Sequence, residues 1–284
     1  MENRYRFEKD VHLVAESLTM PLGKIAEGAK IPESSFYDAL KNNDPSRNIL
    51  EAFYGFAYKK GLRLNKAKEE IYGEGLNNGE VLLFHGSSNG VDEVDPKGSR
   101  KNCDFSNGFY CGESYSSALC FVEGDPNSSV YAFKTDLGGL RVLRLQSDLE
   151  WMLSICYYRG SLVKYEGNNK LLDIIKKQQD YDVIIAPIAD NKMYRVMQQF
   201  AIGQITDVQA VHVLSASRLG KQYVFKTEKA VSSLKEIERM YISAPEKEAS
   251  KAGSAERAHE IQTKLDLAKR EYRREGRYID EVFK

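Results

Sequence analysis

Three stretches of this sequence decide how the rest is read: Glu80-Val-Leu-Leu-Phe84-His85-Gly86-Ser87, Cys103-Asp-Phe-Ser-Asn-Gly108-Phe109-Tyr110-Cys-Gly-Glu113, and Ser114-Tyr115-Ser116-Ser117-Ala118-Leu-Cys120. The first follows the turn-rich Gly73-Glu-Gly75 and Asn77-Asn78-Gly79, so its apolar run 81–84 reads as a strand that opens a new domain. Residues 115–122 have helical apolar spacing. Working outward, strand candidates at 130–135, 140–145, 181–185 and 222–225 alternate with helical runs at 149–158, 171–177 and 193–202. That alternation predicts an α+β domain over residues 76–235.

Residues 1–75 read as all-helical. Val11, Leu13, Val14 and Leu18, then Ile25, Ala26 and Ala29, then Phe36, Tyr37 and Leu40, then Ile49, Leu50, Phe53 and Phe56 recur at helical spacing. The stretch Gly23-Lys-Ile-Ala26-Glu-Gly-Ala-Lys-Ile-Pro32-Glu33-Ser34-Ser-Phe-Tyr-Asp-Ala-Leu40 resembles the helix-turn-helix of repressor-type DNA-binding domains. The exposed residues of its second helix would be Ser34, Ser35, Asp38, Lys41 and Asn42. They offer hydrogen bonds but little positive charge, and residues 1–75 hold 12 basic against 12 acidic side chains. A DNA reader and a helical interaction module both fit. From about residue 228 the chain reads as helical and polar, with breaks at Ser243-Ala-Pro-Glu246 and Ala252-Gly253-Ser254, so residues 236–284 form a helical extension.

The 284 residues suffice for about two domains. Lys plus Arg (41) equal Asp plus Glu (41), so nucleic acid would have to be met by a local patch. No apolar run is long enough to span a membrane and the N-terminus lacks the apolar core of a signal peptide, which predicts a cytoplasmic protein without membrane contact. Cys103, Cys111, Cys120 and Cys156 form no Cys-x-x-Cys pair, and the four histidines stand far apart, so no metal is expected.

The three opening stretches, in this order and spacing, resemble the NAD-binding core of the ADP-ribosyltransferase superfamily of the diphtheria-toxin and poly(ADP-ribose) polymerase type. The resemblance implies a split mixed and antiparallel β-sheet core, here preceded by the helix-turn-helix-like domain and followed by the helical tail. It implies NAD as substrate, whose nicotinamide leaves as the ribose becomes an oxocarbenium-like cation. By the resemblance, His85 bonds the adenosine ribose, the Gly86 backbone clamps the carboxamide, and Ser87 completes the His-Gly-Ser motif. Tyr110 presents its ring to the nicotinamide, Tyr115 supplies a second ring, and Ser117 bonds the carboxamide. A glycine at 86 would let the backbone approach the ring.

The family's glutamate on a late strand is matched here by Gln222, in Lys221-Gln222-Tyr223-Val224-Phe225. Glutamine can bond a ribose hydroxyl but brings no formal charge to stabilise a cation. The pattern through Tyr181-Asp-Val-Ile-Ile-Ala-Pro-Ile-Ala-Asp190-Asn191 is similar to a bacterial branch of that superfamily long described as a domain of unknown function. His85, Tyr110 and Gln222 would then be its native triad. Asp190 is a candidate for the missing charge and equally a helix N-cap, while Glu228 fits better as decoration of the next helix.

The resemblance implies a mono-ADP-ribosyltransferase that modifies an intracellular macromolecule, nucleic acid ahead of protein, in the manner of a bacterial toxin or phage-defence effector. Such an enzyme is expected to be paired with an inhibitor or antitoxin protein. Two alternatives stay open: an NAD glycohydrolase, and a helix-turn-helix regulator with an inactive NAD-binding fold. The segment Ser215-Ala-Ser217-Arg218-Leu-Gly220-Lys221 is expected to help place the acceptor, with two cations that suit phosphate or an acidic protein surface.

Overall fold

The computed structural model describes residues 5–215 and 220–284. The chain begins with five helices: α1 (Phe7–Leu18), α2 (Leu22–Gly28), α3 (Glu33–Asn42), α4 (Arg47–Lys59) and α5 (Leu64–Glu74). Then come β1 (Glu80–Ser87), β2 (Phe109–Gly112), α6 (Tyr115–Val122), β3 (Ser129–Asp136), β4 (Val142–Arg144), α7 (Leu149–Tyr158) and α8 (Asn169–Gln178). Next are β5 (Val183–Pro187), α9 (Asn191–Ala201), α10 (Asp207–Ser215), β6 (Lys221–Phe225) and α11 (Glu228–Val231). The chain closes with β7 (Lys235–Tyr241), α12 (Ala244–Glu271) and α13 (Ile279–Val282). The class is α+β.

Two compact units make up the chain, and both are discontinuous in sequence. One comprises the chain up to Glu93 with Ser114–Asp136 and Leu234–Gly253; the other comprises Val94–Glu113, Leu137–Ser233 and Ser254–Lys284. The expected boundary after residue 75 does not separate these units, because α1–α5 and β1 belong to the same one.

In the first unit, β3 pairs antiparallel with both β1 and β7. One face of this ribbon buries Phe84, Val130, Ala132 and Met240 against Tyr115, Ala118, Leu119 and Val122 of α6. The helices α1–α4 close around Phe7, Val11, Ile25, Phe36 and Phe53, and Tyr241 of β7 joins that core. Lys68 of α5, buried, pairs with Asp10 at 2.5 Å and with Glu238 of β7 at 2.6 Å. α2 and α3 are linked through residues 29–32, with Ala26 buried and Ser34, Ser35, Asp38, Lys41 and Asn42 of α3 exposed.

In the second unit the strand order is β4-β5-β6-β2. β4 and β5 are parallel, and the other two pairings are antiparallel. The core is built on Trp151, Met152, Ile155, Ile184, Met197, Phe200 and Val224, packed between this ribbon and α7–α10.

Two expectations for the C-terminal part are corrected. Residues 235–241 form a strand, not helix, because Glu238 and Met240 turn inward while Ile237 and Arg239 alternate with them, and the inward carboxylate is neutralised by Lys68. The expected break at Ala252-Gly253-Ser254 does not interrupt α12, although the division between the units falls there.

Candidate active site

In the first unit, β1 ends in the His85-Gly86-Ser87 motif. A Cβ on Gly86 would lie 2.5 Å from the Ala118 carbonyl oxygen and 3.0 Å from Val122 Cγ1. Glycine is therefore required here so that β1 can lie against α6, a reason that holds with or without a ligand. Side chains alternate along a strand, so His85 and Ser87 belong to the face away from α6. Register places His85 opposite Tyr131 and Tyr131 opposite Arg239, which puts those three side chains on the same face. The Tyr131 hydroxyl accepts the Val91 N–H at 3.1 Å, and Ser87 Oγ donates to the Gly90 carbonyl at 2.6 Å. Gly90, at φ +93°, supplies the left-handed residue of that turn.

α6 corrects two expected ligand contacts. Tyr115 is fully buried, with its ring edge on Phe84, and its hydroxyl accepts from Asn65 Nδ2 at 2.9 Å and donates to Glu246 Oε1 at 3.0 Å. A ring held inside a core cannot serve as a second wall over nicotinamide. Ser117 is also buried, and it forms a reciprocal cap with Ser114: the Ser117 N–H donates to Ser114 Oγ at 3.2 Å and the Ser114 N–H to Ser117 Oγ at 3.4 Å, while Ser117 Oγ donates to the Ser114 carbonyl at 2.7 Å. The Ser-x-x-Ser spacing is accounted for by helix initiation.

In the second unit, Tyr110 stands opposite Val224 and Gly112 stands opposite Gln222. Tyr110 and Gln222 therefore share one face of the β2–β6 ladder. Gln222 is buried, and Nε2 donates to Asp104 Oδ2 at 2.8 Å and to the Pro187 carbonyl at 3.1 Å. With both hydrogens of the amide given to these two acceptors, its orientation is fixed and Oε1 remains as an acceptor. Asp104 in turn takes Arg159 Nε at 2.7 Å on Oδ1, and Arg159 Nη2 donates to the Ala189 carbonyl at 2.9 Å. The Arg159 guanidinium also lies over Tyr194, 4.5 Å from the ring centre.

The loop that carries Asp104 is fastened at several points. Tyr110 Oη donates to the Ser106 carbonyl at 2.6 Å and accepts the Phe105 N–H at 3.0 Å. Lys226 Nζ donates to the carbonyls of Phe105 and Asn107. Ser106 sits in the left-handed region at φ +63°, a conformation that these bonds hold in place. Burial raises the Asp104 carboxyl above its ordinary pKa, opposed chiefly by the Arg159 charge and the Gln222 bond. Burial also raises the Tyr110 phenol and lowers the Lys226 ammonium to about 8.

Asp190 caps a helix: Oδ1 accepts the N–H groups of Lys192 and Met193, each at 2.9 Å, at the start of α9. The carboxylate in contact with Gln222 is Asp104, which sequence reasoning passed over although it lies within the Cys103-Asp-Phe-Ser stretch. Its partners Arg159 and Gln222 are 55 and 118 residues away, and no local pattern signals such a meeting. Glu228 opens α11 behind the capping Thr227. Ser217 and Arg218 of the expected acceptor loop lie outside the described residues. Among the described residues no group of His, Cys, Asp and Glu is arranged to hold a metal, and no helix is long and apolar enough to cross a membrane.

Residues 81–235, from β1 to the first residue of β7, match DUF3990, a family of proteins of unknown function, and the chain belongs to that family. No curated protein and no solved structure matches the chain.

Proposed function

We propose that this protein is an NAD-dependent mono-ADP-ribosyltransferase with a glutamine, Gln222, in place of the glutamate usual in related enzymes. The single observation that carries the reading is the Asp104–Gln222 pair. The amide is locked with its oxygen as acceptor, which suits a ribose hydroxyl, and a carboxylate stands directly behind it. The charge that glutamine lacks is then supplied by Asp104, relayed through a polarised amide and balanced by Arg159. In the reaction, the bond between nicotinamide and ribose C1′ breaks with its electron pair leaving on nicotinamide. An acceptor lone pair forms the new bond to C1′, and the acceptor proton passes to solvent.

Other supporting features are the His85-Gly86-Ser87 and Gly108-Phe109-Tyr110 motifs, each at a strand position, and the α+β class. His85 and the Gly86 backbone are assigned to NAD binding, and Tyr110 to both the nicotinamide ring and the Asp104 loop. Tyr115, Ser117 and Asp190 are not assigned to the ligand. The acceptor is an intracellular macromolecule, nucleic acid ahead of protein, and the activity is that of a toxin or phage-defence effector restrained by an inhibitor protein.

Nicotinamide release from NAD by the purified full chain, with and without DNA, RNA or cellular protein, tests the proposal. Release that depends on one acceptor class, and that His85→Ala abolishes, is the expected result. Release to water alone would make the protein a glycohydrolase. No release under any condition would overturn the enzymatic reading and favour a regulator. Growth of a bacterial host expressing the wild type or His85→Ala tests the toxin role: equal growth with active wild-type enzyme in the lysate would refute it.

A further inference from the structure

A cavity of about 370 Å³ in the first unit is bordered by Tyr5, Arg47, Asn89, Ser128, Arg239 and Tyr241, with Asn127 and the apolar Pro45, Leu50 and Pro126 beside them. None of these residues is assigned to NAD above. The described lining contains two guanidinium groups and no carboxylate. The Arg239 guanidinium carbon lies 4.8 Å from the centre of the Tyr5 ring and 5.7 Å from that of Tyr131, and its Nε donates to Ser129 Oγ at 3.0 Å. Arg47 is fixed by donation to the Asn127 side chain and the Pro126 carbonyl. Tyr241 donates its hydroxyl to Glu51 at 2.8 Å, which turns that carboxylate to a tyrosine and to the Ala244 N–H. The cavity also receives the first residue of α4, a 13-residue helix whose N-terminus adds partial positive charge.

We propose that this cavity binds the phosphate and base of a nucleotide. The Tyr5 and Tyr241 rings that border the cavity are aromatic surfaces of the kind on which a base stacks, and the arginine fork matches phosphate oxygens. Asn89 and Ser128 supply neutral donors and acceptors for base or sugar edges. The volume lies in the range of small-molecule sites. An apolar ligand would strip water from two cations without compensation, and a cationic one would be repelled. The site stands on these residues alone and does not depend on the transferase reading.

Calorimetric titration of the full chain with AMP tests the site, with inorganic phosphate as the control probe. Saturable AMP binding at least about tenfold tighter than phosphate is expected, and about tenfold or greater weakening by Arg47→Gln, whose side chain is exposed, so that the fold should be kept. Arg239→Gln should weaken binding similarly, and Arg144→Gln, an exposed cation that does not border the cavity, should leave it unchanged. Affinity unaltered by Arg47→Gln, or no preference for AMP over phosphate, would overturn the proposal. A 5′-phosphorylated hexanucleotide separates the two sources of this chemistry: tighter binding than AMP assigns the end of a strand, weaker binding a free nucleotide.

Discussion

Gln222 Nε2 donates to Asp104 Oδ2 across 2.8 Å, so the amide on β6 and the carboxylate on the loop before β2 form one buried unit. Placing a carboxylate at 222 would set two acidic groups against each other and leave the Pro187 carbonyl facing a second acceptor. Gln222→Glu is therefore expected to destabilise the protein, by about 3–5 kcal/mol if both groups are forced to ionise. The double variant Asp104→Asn with Gln222→Glu should recover part of the loss, since the new amide on the loop donates where the Asp104 carboxylate accepted. Thermal unfolding at neutral pH measures both, and a double variant no more stable than Gln222→Glu would contradict the pairing.

Gly86→Ala tests the close approach of β1 and α6. The added methyl meets the Ala118 carbonyl oxygen at 2.5 Å, and a helix backbone has little freedom to retreat. A loss of about 1–3 kcal/mol is expected from urea unfolding, measured without any ligand. An unchanged midpoint would show that β1 and α6 separate readily.

Lys68→Met removes the cation shared by Asp10 and Glu238 and leaves two buried carboxylates facing each other. About 3–5 kcal/mol of stability should be lost. For the same reason a chain lacking residues 1–75 should not fold, since Glu238 would lose both Lys68 and the Tyr72 hydroxyl, which donates to it at 2.6 Å. A soluble, cooperatively unfolding 76–284 fragment would refute this.

Burial raises the Glu246 carboxyl from 4.5 to about 7, against opposing bonds from Tyr115 and Asn65. A carboxyl whose pKa is raised on folding contributes stability that is full below its unfolded pKa and is lost as pH rises toward the folded value. Stability should thus fall between about pH 4.5 and 7, by up to roughly 3 kcal/mol at ~1.4 kcal/mol per unit. Glu246→Gln keeps the acceptor oxygen and should remove this slope, so that it matches wild type at pH 4.5 and exceeds it at pH 8. Parallel denaturant titrations across this range check the difference, and identical curves would disprove it.

The sequence alone determined the elements whose signals are local. α6 and α7 begin where Ser114 and Asp148 cap them and run for the stretches their apolar spacing marks. β1 is legible because an apolar run follows a glycine-rich turn, and the His85-Gly86-Ser87 and Gly108-Phe109-Tyr110 motifs are each contiguous in the sequence. The tertiary structure decided what depends on partners remote in sequence. β7 looked like polar helix because its inward Glu238 is acceptable only with Lys68, 170 residues earlier, beside it. Tyr115 looked like a ligand wall until Asn65 and Glu246 were seen to hold its hydroxyl inside a core. Asp104 carried no signal at all, since a buried carboxylate acquires meaning only from the cation and the amide that folding brings to it.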